Sequence, residues 1–198
     1  MKKILFLCAA ALVMSPLYGQ SAKEMLAEID GKWELDNSGN VTFTRVIEVP
    51  DVSKDDLYTR ALSYFTYNYN SGDAVVQVKE KEQGVIVGKG VYGKVHVGMS
   101  LEKTIVDTYH ILRVDTKDGR VRAMVTLTEY RNTATVGDGI PKISNFTVSG
   151  RYPIAEKDMQ KTVMGKAFYK SYQAAMASLD GIEKSLKEGN TGSDTNDW

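Results

Sequence analysis

Apolar and polar residues alternate along the middle of the chain, which is the pattern of strands buried on one side only. The alternating runs cover residues 41–49, 74–80, 85–97, 104–114 and 120–131. Asp118-Gly119 separates the last two runs and predicts a β-hairpin. In the run 120–131, one face carries Val121, Ala123, Val125 and Leu127, and the other carries Arg122, Met124, Thr126, Thr128 and Tyr130. The pattern indicates an antiparallel sheet with one buried face and one face in water.

Two longer segments repeat apolar residues every three to four positions and predict helices. The first follows Ser53, a good N-cap with Asp56 three residues later. The second is predicted over residues 157–186, with Asp158 as its cap. A short helix over 21–29 and a short strand over 143–148 complete the pattern. We therefore predict an α+β fold, a two-layer sandwich with both long helices on one face of an antiparallel sheet and the other face open.

The N-terminus has the layout of a secretory signal peptide. Lys2 and Lys3 precede an unbroken apolar run at residues 4–14, and we expect cleavage after Gly19. The chain is therefore expected to be exported to the periplasm or cell envelope, with no membrane span left after cleavage. Cleavage would also remove Cys8, the single cysteine, so neither a disulfide nor a thiolate site is expected.

The mature chain is expected to comprise one domain. Residues 20–40 form a lead-in segment, residues 41–187 the α+β domain, and residues 188–198 a disordered polar tail. The whole chain has 25 basic and 25 acidic residues, and loss of Lys2 and Lys3 would leave 23 basic ones. Since no basic excess remains, nucleic acid is not an expected partner.

The stretch GKGVYGKV at residues 88–95 fits the spacing of phosphate-binding glycine loops. Such loops lead from a strand into a helix, whereas these glycines lie inside an alternating run. Glycine within a strand marks a bend, a bulge or a close approach. His96 and His110 each lie in a predicted strand without a second ligand at i+2 or i+4. Neither a nucleotide cofactor nor a metal is therefore expected.

The sequence of residues 41–130 resembles a bacterial family of secreted domains, domain of unknown function 4468, most specifically over residues 46–90. The resemblance rests on a helix start containing Ser53-Lys54, Leu57-Tyr58 and Arg60-Ala61, and on a strand ending in Ile86-Val87-Gly88-Lys89-Gly90. It implies a fold like that of the TATA-binding protein (TBP), a curved antiparallel sheet with helices on its convex side. It implies no activity and supplies no catalytic positions.

Aromatic and arginine side chains are enriched at binding surfaces, and several fall in the predicted strands. A ligand or partner face is expected from Tyr92, His96, Arg122, Met124 and Tyr130, with Tyr109 and Arg113 as further candidates. We expect a non-enzymatic binding module whose partner is an unknown envelope protein or small ligand. The alternatives are an envelope hydrolase or other enzyme with scattered site residues, of which Asp107 and Glu129 could form a carboxylate pair, and a structural accessory subunit.

Overall fold

A computed structural model of the chain describes residues 20–69, 75–99 and 102–189. The predicted signal peptide and residues 190–198 of the predicted tail lie outside the described residues. The helices are α1 (Ala22–Glu28), α2 (Lys54–Asn68) and α3 (Lys161–Glu188), with one 3₁₀ turn at Val148–Gly150. The strands are β1 (Glu34–Leu35), β2 (Val41–Glu48), β3 (Val75–Glu80), β4 (Val85–Met99), β5 (Lys103–Lys117), β6 (Arg120–Thr135) and β7 (Lys142–Thr147).

The strands form one antiparallel sheet in the order β1-β2-β6-β5-β4-β3, and β7 also pairs with β6. Consecutive strands β3 to β6 form the predicted meander. Strand β2 pairs with residues 120–127 of β6, and β7 pairs with residues 129–134, so the two strands share one edge of β6. The α+β architecture with an open antiparallel sheet is confirmed.

Helices α2 and α3 both pack on one face of this sheet, and α1 packs against α3. The alternation of each strand buries one set of side chains beneath the two long helices. Val41 and Phe43 of β2 and Leu112 and Val114 of β5 are buried there. The core contributed by the helices includes Leu57, Phe65, Phe168, Leu179 and Ile182. The face of the sheet opposite α2 and α3, called the open face below, carries no helix of residues 20–69, 75–99 and 102–189.

Local hydrogen bonds determine where the long helices begin. Helix α2 starts where the sequence predicts, because Ser53 Oγ accepts a hydrogen bond from the Asp56 backbone N–H at 3.1 Å. Helix α3 starts at Lys161, four residues later than predicted. Asp158 is not its cap, because its carboxylate accepts the backbone N–H groups of Tyr152 and Gln160 at 3.0 and 2.8 Å. Asp158 therefore stabilises the loop that precedes the helix.

The glycines of β4 make room for aromatic rings beneath the helices. A Cβ at Gly88 would lie 2.7 Å from Cε1 of Phe65, and a Cβ at Gly90 would lie 2.8 Å from Cε1 of His110 and 2.9 Å from Cε1 of Tyr69. Ordinary carbon–carbon contacts are about 3.5–4.0 Å. The glycine motif is thus part of the packing of α2 on the sheet, as the prediction of a close approach requires.

Candidate functional site

The open face combines exposed apolar side chains with charged ones. Val46, Val97 and Ile143 are between 55 and 62% exposed, and each pairs across the sheet with a residue of the same face. Three hollows open on this face, with volumes of about 210, 420 and 490 Å³. The open face therefore combines exposed apolar side chains with hollows, two features that binding surfaces share.

Of the five predicted site residues, only Arg122 and Met124 lie together on the open face. In β6 they pair with Asp115 and Arg113 of β5, and Met124 is half-buried. Tyr109 and Arg113, the further candidates, lie on the same face. The predicted five-residue face is therefore split between the two sides of the sheet.

Tyr130 lies on the helix-covered face and is fully buried. The prediction placed it with Met124 because both positions are even, which assumes unbroken alternation. A β-bulge interrupts it: Tyr109 pairs with Glu129 and His110 with Leu127, so Thr128 is an extra residue in β6. The extra residue turns Tyr130 to the opposite face, because side-chain direction has a period of two.

Tyr92 and His96 also lie on the helix-covered side. Tyr92 stacks on His110 with ring centroids 3.8 Å apart, and its hydroxyl lies 2.8 Å from the Ser178 hydroxyl of α3. His96 pairs with Val106, which is fully buried. Burial and then the nearby Lys166 of α3 lower the pKa of His96. Neither side chain is available to a ligand on the open face.

A buried polar cluster was not expected from the sequence. Its centre is His110, whose Nε2 is hydrogen-bonded at 2.7 Å to the hydroxyl of Tyr69 in α2. Burial lowers the pKa of His110 to about 4, and burial also raises the pKa values of Tyr69 and Tyr92. All three groups are therefore neutral at pH 7. The sequence signal for this cluster was the pair Gly88 and Gly90, which share a strand face with Tyr92 and lie against the aromatic side chains of α2.

Asp107 forms a structural pair at the bulge of β4. Arg131 donates to its Oδ2 from Nε at 3.2 Å and from Nη2 at 3.0 Å, and the Lys94 backbone N–H donates to Oδ1 at 2.8 Å. Lys94 has a φ of 53°, in the left-handed region that is strained for residues with a side chain. Both oxygens of Asp107 are thus engaged, while Glu129 pairs with Tyr109 on the next row. The contacts of Asp107 are those of a side chain that stabilises the bulge of β4.

A second charged cluster surrounds Asp115 near the turn between β5 and β6. Its carboxylate lies between two arginines: Arg122 donates to Oδ2 from Nη2 at 2.7 Å, and Arg113 donates to Oδ1 from Nε at 2.9 Å. Burial raises the pKa of Asp115 and the hydrogen bonds from the two arginines lower it, with a net shift downward. Asp115 is therefore ionised at neutral pH. The side chains of Arg113 and Arg122 remain 45 and 53% exposed.

The other two of these hollows lie farther along the open face. The 420 Å³ hollow lies where β2 begins and β7 ends along β6, and its lining includes Asn40, Thr128 and Thr147. The 490 Å³ hollow is next to the Asp107–Arg131 pair. The bulges of β6 and β4 therefore shape the open face as well as the core.

Residues 20–69, 75–99 and 102–189 include no group of three or more His, Cys, Asp or Glu side chains placed to hold a metal ion. Within the same ranges, no helix combines the length and apolar character needed to cross a bilayer.

Residues 43–131 match the model of the family described as "Domain of unknown function (DUF4468) with TBP-like fold". The chain is also similar in fold to a solved DUF4468 family protein from Bacteroides ovatus. Their identity is 14%, the TM-score is 0.56, and the match covers 82% of this chain and 94% of the other. A TBP-like protein from Parabacteroides distasonis matches with 14% identity and a TM-score of 0.54, over 76% of this chain and 96% of the other.

No curated protein matches the chain. The family match and the two solved structures confirm the resemblance indicated by the motifs around Ser53 and Gly88, and they confirm the TBP-like fold. At 14% identity the structural likeness concerns the fold alone.

Proposed function

We propose that the protein is an exported, non-enzymatic binding module that contacts a ligand or partner of the cell envelope through its open face. The observation that carries this proposal is the asymmetry of the sheet. One face is covered by α2 and α3, while the other holds three hollows and several exposed apolar side chains. Contiguous exposed apolar surface marks sites where a protein binds a partner or a ligand.

The placement of the ionisable groups supports a binding role over catalysis. Among the described residues, the groups whose pKa values shift most are His110, Tyr69, Tyr92 and Tyr130. Their side chains lie beneath the helices, on the opposite side of the sheet from the hollows. An enzyme would be expected to place such groups in a cleft that its substrate can enter.

The charge distribution supports a partner other than nucleic acid. Asp107, Asp115 and Glu129 lie among the arginines of the open face, so this surface is of mixed sign. Nucleic-acid binders instead present a continuous basic surface. Export is inferred from the apolar run at residues 4–14 and its two preceding lysines.

The proposal can be tested by crosslinking in the native host followed by mass spectrometry, with variants on each side of the molecule. Val97→Lys places a long charged side chain on the open face, and Gln173→Lys makes the same change on the exposed surface of α3. We expect an envelope protein or ligand to be recovered with the wild-type chain and with Gln173→Lys. Recovery should fall sharply with Val97→Lys, with the unfolding midpoint unchanged. Equal recovery with both variants would contradict the proposal.

A further inference from the structure

The hollow at the turn between β5 and β6 has a distinct chemical character. Its volume is about 210 Å³, and its lining includes the basic side chains Lys117, Arg120 and Arg122. Asp115 is the single carboxylate of this lining, and Val46 contributes an apolar wall. The lining therefore has two positive charges in excess.

The pairing inside the hollow leaves this excess uncompensated. Asp115 is shared between Arg113 and Arg122, so one carboxylate faces two guanidinium groups. Lys117 and Arg120 are cross-strand neighbours in the hairpin, and Glu48 of β2 is the neighbour of Arg120 on its other side. With Arg113 and Glu48 included, four basic side chains still face two carboxylates, so the positive excess remains. Like charges held close together repel one another, and an anion placed between them would relieve that repulsion.

We propose that this hollow binds a compact dianion of the dicarboxylate or phosphate class. Guanidinium groups match the planar oxygen pairs of carboxylates and phosphates, and such charge-assisted hydrogen bonds are the stronger kind. The small volume suits a compact ligand group rather than a drug-sized molecule, whose sites are about 300–1,000 Å³. This inference rests on the proposed function, since it names the ligand chemistry of one end of the open face.

The test is a titration of the chain, expressed from its full reading frame, at an ionic strength of about 0.01 M, where screening is weak. Inorganic phosphate and succinate are added separately, with chloride at matched ionic strength as the reference, and amide chemical shifts are followed. We expect saturable shifts confined to the β5–β6 hairpin with at least one dianion. Binding of only one dianion identifies the ligand class as phosphoryl or carboxylate.

Three variants separate a site from general attraction. Arg120→Gln and Arg122→Gln should each weaken binding about tenfold, as expected for loss of one charged hydrogen bond worth about 1.4 kcal/mol. Lys170→Gln removes one charge from the exposed surface of α3 and should leave the affinity unchanged. Asp115→Asn should tighten binding, because it removes the carboxylate that competes for the two arginines. In that variant the dianion should also raise the unfolding temperature more than in the wild type.

Unsaturable shifts that chloride reproduces would overturn the proposal, and so would an unchanged affinity in Arg122→Gln. Failure of dianion binding would not affect the crosslinking test of the open face. If the dianion binds but no crosslink depends on the open face, the broader binding role fails instead.

Discussion

Replacement of Gly90 by alanine tests the packing of α2 on the sheet. The new Cβ would lie 2.8 Å from Cε1 and 3.0 Å from Nε2 of His110, and 2.9 Å from Cε1 of Tyr69. Since ordinary contacts are about 3.5–4.0 Å, the two rings would have to move by roughly 0.7 Å. Their 2.7 Å hydrogen bond and the stack of Tyr92 on His110 oppose that movement.

Overpacking of this kind costs about 1–3 kcal/mol, while alanine gains about 0.5–1 kcal/mol over glycine in a strand. We therefore expect Gly90→Ala to lower the free energy of unfolding by about 1–2 kcal/mol. At about 2–4 °C per kcal/mol for a chain of this size, the unfolding temperature should fall by about 2–8 °C.

Gly93 in the same strand provides the matched control. A Cβ there would meet no atom closer than Asp107 Oδ1, at 3.9 Å. Gly93→Ala should therefore be neutral or slightly stabilising. The measurement is urea unfolding followed by circular dichroism, with both variants compared with the wild type. If Gly90→Ala were as stable as Gly93→Ala, the rings would have room to adjust and the glycine would not be explained by their approach.

Three further predictions follow from other contacts. Because folding lowers the pKa of His110 from 6.5 to about 4, the unfolded chain takes up a proton before the folded chain does as the pH falls. The free energy of unfolding should therefore fall by about 3 kcal/mol between these two pKa values. Urea unfolding at pH 7, 5.5 and 4 measures this loss, and the same pH dependence of stability in His110→Phe would contradict it. Asp107→Ala removes the acceptor of the Lys94 N–H and should cost about 1–3 kcal/mol in the same assay. A cost below about 0.5 kcal/mol, the usual size of a surface substitution's effect, would show that the bulge does not depend on the carboxylate. Ser53→Ala removes the N-cap of α2 and should cost about 1 kcal/mol, and an unchanged unfolding midpoint would count against the cap.

The parts of the fold that depend on local chemistry could be predicted from the sequence. Ser53 with Asp56 and the apolar spacing after it define α2, because an N-cap acts within one turn. The start of α3 could not be obtained in this way. Asp158 has the side chain of a good cap, but its carboxylate binds the backbone of Tyr152 and Gln160, and nothing in the local sequence indicates that loop.

Part of the candidate site could be predicted, because strand alternation gives the face of a side chain only as far as the next bulge. Arg122 and Met124 follow the alternation of β6 and lie on the open face as expected. Tyr130 follows it only up to the bulge at Thr128, where the sequence has neither glycine nor proline to mark a break. Tyr92 shares a strand face with Gly88 and Gly90. That this is the helix-covered face follows from the approach of the α2 rings to the two glycines, which is a contact between distant segments.

Contact with a partner through the open face is the function that we propose for this protein. The most direct test places a photo-crosslinking residue at Val46 or Val97 on that face, and at Lys170 or Gln173 on the exposed surface of α3, in the native host. We expect specific crosslinked products from the two open-face positions and none from the α3 positions. Products that form equally from both surfaces, or from α3 alone, would contradict it.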